Sequence, residues 1–142
     1  MQNIRQLLEK KGSEIFTIDP NSSVLDAIKS MADHHIGSLI VMQNERLIGI
    51  ITERDYSRNV VLKGKSSANT AVKDIMTKSV LCTKPDQTVE EAMALMTDKR
   101  LRHLPVVENG NVLGIISIGD LVKTIISEQK HIIEQLEHYI NG

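Results

Sequence analysis

Aromatic residues, cysteine and charge of one dominant sign are all scarce in this chain of 142 residues. It contains two Tyr, one Phe and no Trp, and its formal net charge is −1. A nucleic-acid-binding protein usually carries a basic surface, and a single-strand binder adds aromatic side chains on which the bases stack. The composition therefore argues against a nucleic-acid partner.

Long apolar runs are missing as well. The longest span only a few residues, far short of the ~20 that cross a bilayer. The first residues lack the apolar core of a secretory signal, and Cys82 is the single cysteine. These absences predict a protein without a membrane span in a reducing, cytoplasmic setting. The apolar fraction of 41% is nevertheless sufficient for a packed core.

The main positive feature is an internal repeat. Residues 18–61 and 83–126 align without a gap, 65 positions apart (18 to 83). Each copy reads β-α-β-β-α: an extended stretch ends at a proline, a capping pattern starts a helix, two β-rich runs follow, and a second helix closes the copy. Each copy alone is too short to bury enough surface. The sequence therefore predicts an α+β fold in which the tandem copies pack as a pseudo-twofold module with N- and C-terminal helices.

The predicted boundaries divide the chain into five segments. A helix is expected over 1–12, the first copy over 13–62, a linker over 63–75, the second copy over 76–126 and a helical extension over 127–142. The extension carries an apolar stripe without a counterpart in the first copy. Its members are Ile132, Ile133, Leu136, Tyr139 and Ile140. The stripe favours a subunit interface in a homodimer, with packing against the N-terminal helix as the alternative.

A hydroxyl and a carboxylate recur three residues apart at the end of an apolar run in each copy. They are Thr52 with Asp55 and Ser117 with Asp120. A hydroxyl at a helix mouth lies beside the N–H groups of the first turn, which attract an anion. A carboxylate can accept hydrogen bonds from both hydroxyls of a ribose. The pattern predicts a nucleotide site at these corners, and an ordinary helix cap is the structural alternative.

Several motifs follow one another along the repeat. They are Gly49-Ile50-Ile51-Thr52-Glu53-Arg54-Asp55, Lys73-Asp74-Ile75-Met76-Thr77, Arg102-His103-Leu104-Pro105-Val106 and Gly114-Ile115-Ile116-Ser117-Ile118-Gly119-Asp120. Together they resemble the cystathionine β-synthase (CBS) domain pair, also called a Bateman module. The resemblance implies a stand-alone regulatory protein that binds adenine nucleotides or related adenosyl ligands in a cleft between the repeats. It also implies an effector partner, such as an enzyme or transporter, and no reaction catalysed by the chain itself.

The predicted nucleotide site draws on both copies. Its members are Ile15, Ile36, Gly37, Ser38, Thr52, Arg54, Asp55, Arg58, Val80, Leu101, Arg102, His103, Ser117 and Asp120. The hydroxyls are expected to meet phosphate, the carboxylates ribose, the basic residues phosphate, and the aliphatic residues adenine. Gly37 and Ser38 stand where the second copy has Arg102 and His103. Unequal affinities are therefore expected, with Arg102 and His103 serving the Thr52 corner in one better-charged pairing.

AMP is the favoured ligand, because one phosphate and one ribose match these groups; NAD(H), ADP or ATP would need further positive contacts. No catalytic cofactor or metal is expected. His34 and His35 diverge on a helix and suit the surface, while Cys82 is expected to be a buried structural thiol. A ligand-free dimerisation scaffold is the alternative function. An enzyme is more remote, because no nucleophile with a base is recognisable.

Overall fold

The structure is a computed structural model that describes residues 2–12 and 14–141. The chain divides into two compact units. One, the first-repeat unit, is the continuous segment Ile15–Leu81. The other, the second-repeat unit, combines Met1–Glu14 with Cys82–Gly142. The N-terminal segment therefore belongs with the second copy of the repeat.

Five helices and five strands are assigned within the described residues. The helices are α1 (Ile4–Lys11), α2 (Val24–His34), α3 (Glu53–Tyr56), α4 (Val89–Lys99) and α5 (Ile118–Asn141). The strands are β1 (Thr17–Ile18), β2 (Ser38–Gln43), β3 (Arg46–Thr52), β4 (His103–Glu108) and β5 (Asn111–Ser117). A π-helix (Ser57–Val61) continues α3, and a 3₁₀ turn (Val72–Asp74) precedes the second copy.

A three-stranded sheet forms the centre of the first-repeat unit. Its order is β1-β2-β3, with β1 parallel and β3 antiparallel to β2. Alternate residues of β2 turn Leu39 and Val41 onto the same face, as the period of two requires. The helical spacing of Val24, Ala27 and Met31 gives α2 a matching apolar face. These faces form a buried core that fixes where β3 ends and α3 begins.

The second-repeat unit repeats this arrangement around the antiparallel pair β4-β5. The extended stretch predicted to open the second copy is shorter than an assigned strand: among the described residues, the bridge assigned there joins Thr83, in parallel, to Val106 of β4. Thr83 N donates to Pro105 O at 2.9 Å, and Thr83 O accepts from Val107 N at 2.9 Å. Pro85 follows two residues later and has no N–H with which to continue the ladder. The opening stretch is therefore reduced to a single bridge.

Helix α1 packs inside the second-repeat unit. Its buried face, formed by Ile4, Leu7 and Leu8, joins the core made by α4, β4, β5 and Leu121 of α5. Ile4 N donates to Gln87 O at 2.8 Å, which fixes the start of the helix against the loop before α4. These contacts bring the C-terminal end of α1 towards the junction between β5 and α5.

The two closing helices differ in length and regularity. The helix predicted to close the first copy is present, but after the four residues of α3 it becomes a π-helix, with Leu62 N donating to Ser57 O at 3.0 Å. The second copy instead has the 24 residues of α5. Within the described part of the chain, no helix combines the length and apolar character needed to cross a membrane.

The apolar stripe of α5 is exposed in the single chain. Ile132, Leu136 and Tyr139 retain 54%, 56% and 86% of their accessible surface. Packing of the stripe against α1, the alternative considered from the sequence, is therefore wrong. Helix α1 contacts the earlier part of α5, where Leu121 is fully buried. The stripe remains available to another surface.

Candidate functional site

The first corner lies where β3 ends at Thr52 and α3 begins. Thr52 Oγ1 accepts a hydrogen bond from Asp55 N at 3.1 Å, and Asp55 Oδ2 accepts one from Thr52 N at 3.0 Å. The Thr52 hydroxyl also lies 3.1 Å from Asp55 Oδ2, as a donor. This is a reciprocal capping box. It holds the Asp55 carboxylate in one orientation and leaves Oδ1 outside the cap, 3.5 Å from the Thr77 hydroxyl.

The second corner repeats the cap at the junction of β5 and α5. Ser117 Oγ accepts from Asp120 N at 3.1 Å, and Asp120 Oδ2 accepts from Ser117 N at 2.8 Å. Lys11, the last residue of α1, adds a contact: its Nζ lies 2.6 Å from Asp120 Oδ2 and 2.6 Å from Ile115 O. Both hydroxyl–carboxylate pairs therefore form helix caps, a role that is compatible with a nucleotide site at the same corners.

The electrostatic surroundings of the two carboxylates differ. Partial burial by itself raises the pKa of Asp120, but the hydrogen bonds and charge of Lys11 and the hydrogen bonds of Ser117 bring that pKa below its ordinary value of 3.8. Within the described residues, no basic side chain forms an ion pair with Asp55, and the nearest added partner is the neutral Thr77 hydroxyl. The corners match in sequence but not in charge.

Sequence reasoning missed both Lys11 and Thr77. Lys11 is 109 residues from Asp120, and Thr77 is 22 residues from Asp55. Their contacts with the two carboxylates depend on where α1 and the segment after the 3₁₀ turn pack. No local sequence pattern predicts either placement. The two lysines in the last turn of α1, Lys10 and Lys11, give only the general signal of a helix C-terminus.

Strand register places Gly37 and Ser38 beside the first corner. Ser38 is the β2 partner of Thr52, and Glu53 N donates to Gly37 O at 3.1 Å. Ser38 is buried, whereas Thr52 is half-buried. The structure therefore brings four of the predicted site residues together here: Gly37, Ser38, Thr52 and Asp55.

The equivalent register places Arg102 and His103 beside the second corner. His103 is the β4 partner of Ser117, and Ile118 N donates to Arg102 O at 3.0 Å. Arg102 is exposed and His103 is half-buried. Lys11, Arg102 and His103 thus gather around Ser117 and Asp120 in one unit. The pairing of Arg102 and His103 with the Thr52 corner stays a prediction.

The remaining predicted site residues occupy different surroundings. Ile15, Ile36, Val80 and Leu101 are all half-buried. Ile36 packs against the core of the first-repeat unit, and Leu101 packs against that of the second-repeat unit. Arg54 and Arg58 are exposed on α3 and the π-helix. Arg54 and Arg58 are thus at the surface, and Ile36 and Leu101 are at the edge of a core.

A cavity of about 450 Å³ lies in the first-repeat unit between the end of α2 and the start of α3. It is lined by Ile28, Met31, Ala32, His35, Ile36, Gly37, Glu53, Tyr56 and Ser57. Its volume is within the range of small-molecule pockets, about 300–1,000 Å³. Ile36 and Gly37 are the predicted site residues that border it. The others were not predicted, although the spacing of Ile28, Ala32 and His35 indicates one side of a helix.

Other reactive side chains give no second site. His34 and His35 are exposed, and the His34 ring stacks on Phe16 with a centroid distance of 3.9 Å. Among the described residues, no cluster of His, Cys, Asp and Glu is arranged to hold a metal. The prediction that Cys82 is buried is wrong, because the residue is exposed. Partial desolvation raises the pKa of its thiol, which favours the less nucleophilic protonated form.

The fold and its two corners place the chain in a known class. The CBS domain model matches twice, at residues 5–61 and 72–127. The chain therefore belongs to the CBS-domain family and carries two copies in tandem. The predicted resemblance and the predicted α+β fold are both confirmed.

Known relatives support this assignment. CBS domain-containing protein CBSX3 of Arabidopsis thaliana, a mitochondrial protein, is 42% identical over 127 residues, which cover 86% of this chain and 62% of the relative. The chain thus spans less than two thirds of that protein. A proposed signal-transduction protein with CBS domains from Burkholderia ambifaria MC40-6 is 47% identical, with a TM-score of 0.87 and coverage of 90% of this chain and 96% of that one.

A more distant structure shares the fold. It is the CBS domain pair of protein MJ0100, which was crystallised with 5′-methylthioadenosine and S-adenosyl-L-methionine. Its sequence identity is 23%, its TM-score is 0.79, and the match covers 90% of this chain and 98% of that one. At this identity the similarity establishes the shared fold alone.

Proposed function

We propose that the chain is a non-catalytic regulatory module that binds an adenosine-containing ligand at its strand–helix corners, with AMP preferred. One observation carries the proposal: both copies of a CBS pair fold into the same corner, in which a helix cap fixes a carboxylate. The two ligands of MJ0100 both contain adenosine, which supports this ligand class for the fold.

The carboxylates are suited to hold a ribose. Asp55 uses Oδ2 in its cap, so the carboxylate cannot rotate freely, and Oδ1 can accept a hydrogen bond from a ribose hydroxyl. An acceptor fixed before binding loses little side-chain entropy when the ligand arrives. Asp120 is fixed in the same way by Ser117 N. The ribose is therefore assigned to these two residues.

The other parts of an adenine nucleotide have matching surroundings. Half-buried aliphatic side chains, Ile36 among them, offer a surface for adenine at the edge of each core. Arg54 and Arg58 supply positive charge beside the first corner, and Arg102 and His103 supply it beside the second. One phosphate suits the two basic side chains beside each corner. NAD(H), ADP and ATP are accordingly weaker candidates than AMP.

Ligand binding is proposed to regulate a partner protein. A ligand that prefers one conformation shifts the population towards it by no more than its difference in affinity for the two states. The exposed stripe of α5 is proposed to form a homodimer, since an unpartnered apolar surface of this kind usually marks an interface. The output would then be a change in how the dimer engages its effector.

Thermal unfolding of the full chain with and without ligand tests the proposal. AMP, ADP, ATP, NAD, NADH, adenosine and S-adenosylmethionine would each be added to nucleotide-free protein. A ligand at about 100 times its dissociation constant should stabilise by about 2.7 kcal/mol, a shift of several degrees. The shift with AMP should be the largest at equal concentration, and it should decrease in Asp55→Asn or Asp120→Asn.

Asp33→Asn is the matched control, because Asp33 is an exposed carboxylate of α2 outside the corners. It should leave the ligand-induced shift unchanged. If none of the ligands shifts the transition, the module does not bind adenosine compounds and the dimerisation scaffold becomes the better account. Steady turnover of ATP or NADH that disappears in Asp55→Asn would contradict the non-catalytic assignment.

A further inference from the structure

Lys11 makes a close charged contact at the second corner. Its ammonium donates to Asp120 Oδ2 and to Ile115 O, both at 2.6 Å, so the side chain bridges the end of β5 and the first turn of α5. The pair is sheltered but not buried, with 36% of the Lys11 side chain and 23% of the Asp120 side chain exposed. A ligand approaching Asp120 from solvent therefore meets the ammonium at the carboxylate.

Among the ion pairs of the described residues, Asp55 at the first corner has no contact equivalent to that of Lys11 with Asp120. Asp55 Oδ1 faces the Thr77 hydroxyl, a neutral donor, at 3.5 Å, which is long for a hydrogen bond. A ribose hydroxyl can replace such a partner with little loss. At the second corner, Oδ2 already accepts from both Ser117 N and Lys11 Nζ. A ribose that uses its two hydroxyls on both oxygens of the Asp120 carboxylate must compete with the charge-assisted hydrogen bond from Lys11 at Oδ2.

We propose that Lys11 is an internal competitor that occupies the second corner until a ligand displaces it from Asp120. The inference rests on the proposed adenosine-binding function and assigns a regulatory contact to one of its two corners. The first corner then fills at lower ligand concentration. The second fills later, and only its occupation releases Lys11.

Release of Lys11 has a defined structural consequence. Lys11 is the final residue of α1, and Gly12 N donates to Leu8 O at 2.8 Å to end the helix. Ile4, Leu7 and Leu8 stay anchored in the core, so only the last turn of α1 loses a tether. Because coupling between two binding events is reciprocal, weakening the Lys11 contact must strengthen ligand binding by the same factor. The last turn of α1 thus reports occupation of the second corner.

Calorimetric titration of the full chain with adenosine tests the competition. Asp55→Asn would remove the first corner, so that binding reports the second corner alone. Adding Lys11→Met should then tighten adenosine binding by about threefold to fivefold, the range expected for losing a sheltered surface ion pair. Lys10→Met is the control: Lys10 is the exposed neighbour in the same helical turn, and its loss should leave the affinity unchanged.

Hydrogen exchange gives a second readout that does not need a substitution at Lys11. With adenosine bound to the Asp55→Asn protein, the Gly12 amide should exchange faster than without ligand. An unchanged or weaker adenosine affinity in Lys11→Met would overturn the proposal, as would an AMP affinity that falls, since Lys11 would then be a phosphate contact. A parent protein that binds neither ligand would instead overturn the proposed function, and with it this inference.

Discussion

Gly49 and Met76 approach so closely that a Cβ atom on the glycine would lie 2.6 Å from Met76 Sδ. The same atom would lie 3.0 Å from Thr77 O. Ile50 and Thr77 exchange backbone hydrogen bonds at 3.0 and 2.9 Å beside this contact, so the segment after the 3₁₀ turn is tied directly to β3. Gly49 therefore allows the segment that carries Thr77 to reach the first corner.

Gly49→Ala should destabilise the fold by about 1–3 kcal/mol, because overpacking forces neighbouring atoms apart. Gly114 is its equivalent in the second copy, where the added Cβ would lie 2.9 Å from Leu8 Cδ2. That atom is at the end of a side chain that can rotate, whereas Thr77 O belongs to the backbone. Gly114→Ala should therefore destabilise the fold less than Gly49→Ala does. Urea unfolding of the two variants would measure the difference, and an equal or larger cost at Gly114 would contradict it.

Thr88→Ala should lower the free energy of unfolding by about 1 kcal/mol. Thr88 caps α4 by accepting from Glu91 N at 3.1 Å, and Glu91 Oε1 accepts in return from Thr88 N at 3.2 Å. Thr88→Ser keeps the hydroxyl and should recover most of the loss. Chemical denaturation would show this order, and a serine variant as unstable as the alanine variant would argue against the cap.

Acid should abolish the stabilisation that Asp120 receives from Lys11. The folded-state pKa of Asp120 is below its ordinary value of 3.8, so the folded state binds fewer protons than the unfolded state. The contribution is complete above pH 3.8 and is lost as the pH falls through the folded-state pKa. Lys11→Met should cost about 0.2–1 kcal/mol at pH 6.

Unfolding of the parent and Lys11→Met proteins between pH 6 and pH 2.5 would measure this dependence. The difference between their free energies of unfolding should narrow in the most acidic solutions. It should not vanish, because the hydrogen bond from Lys11 to Ile115 O does not depend on the protonation of Asp120. Lys10→Met should stay close to the parent at every pH. A difference that widens in acid would mean that the sign of the Asp120 contribution is the opposite.

Leu136→Lys should weaken self-association about tenfold or more, since it places a charge in the centre of the exposed α5 stripe. Glu134→Gln is a suitable control. Residue 134 lies on the opposite side of the helix from Leu136, and this substitution changes the net charge by the same amount as Leu136→Lys. Sedimentation equilibrium at several concentrations would give the dissociation constants. A parent chain that is monomeric throughout would refute the proposed homodimer.

Local sequence signals located most of the secondary structure correctly. The capping patterns before Val24 and Val89 coincide with the starts of α2 and α4. Asn109-Gly110, a residue pair typical of tight hairpin turns, joins β4 to β5. Placement of α1 was not predictable in this way. The spacing of its apolar residues says that one face is buried, but not which surface covers it. The π-helix after Tyr56 has no comparable local signal either.

The same distinction between local sequence signals and long-range packing applies to the candidate site. The cap hydrogen bonds at Thr52 and Ser117 join residues three apart, so a short pattern was enough to indicate them. Lys11 reaches Asp120 only because α1 packs on the second copy. The error at Cys82 has a different origin: its apolar neighbours in sequence suggest burial, but the residue is exposed next to the isolated bridge of Thr83. Local patterns determine caps, and tertiary packing determines which charges surround them.

The division of the chain into units also sets an order for folding during synthesis. The first-repeat unit is continuous and is complete once residue 81 has emerged, whereas α1 is made earlier and finds its partners in Cys82–Gly142. At a translation rate of roughly 5–20 residues per second, the apolar face of α1 is synthesised several seconds before α4 and β4. Helix α1 is therefore synthesised early, but its apolar face can be buried only after the whole first-repeat unit has been made.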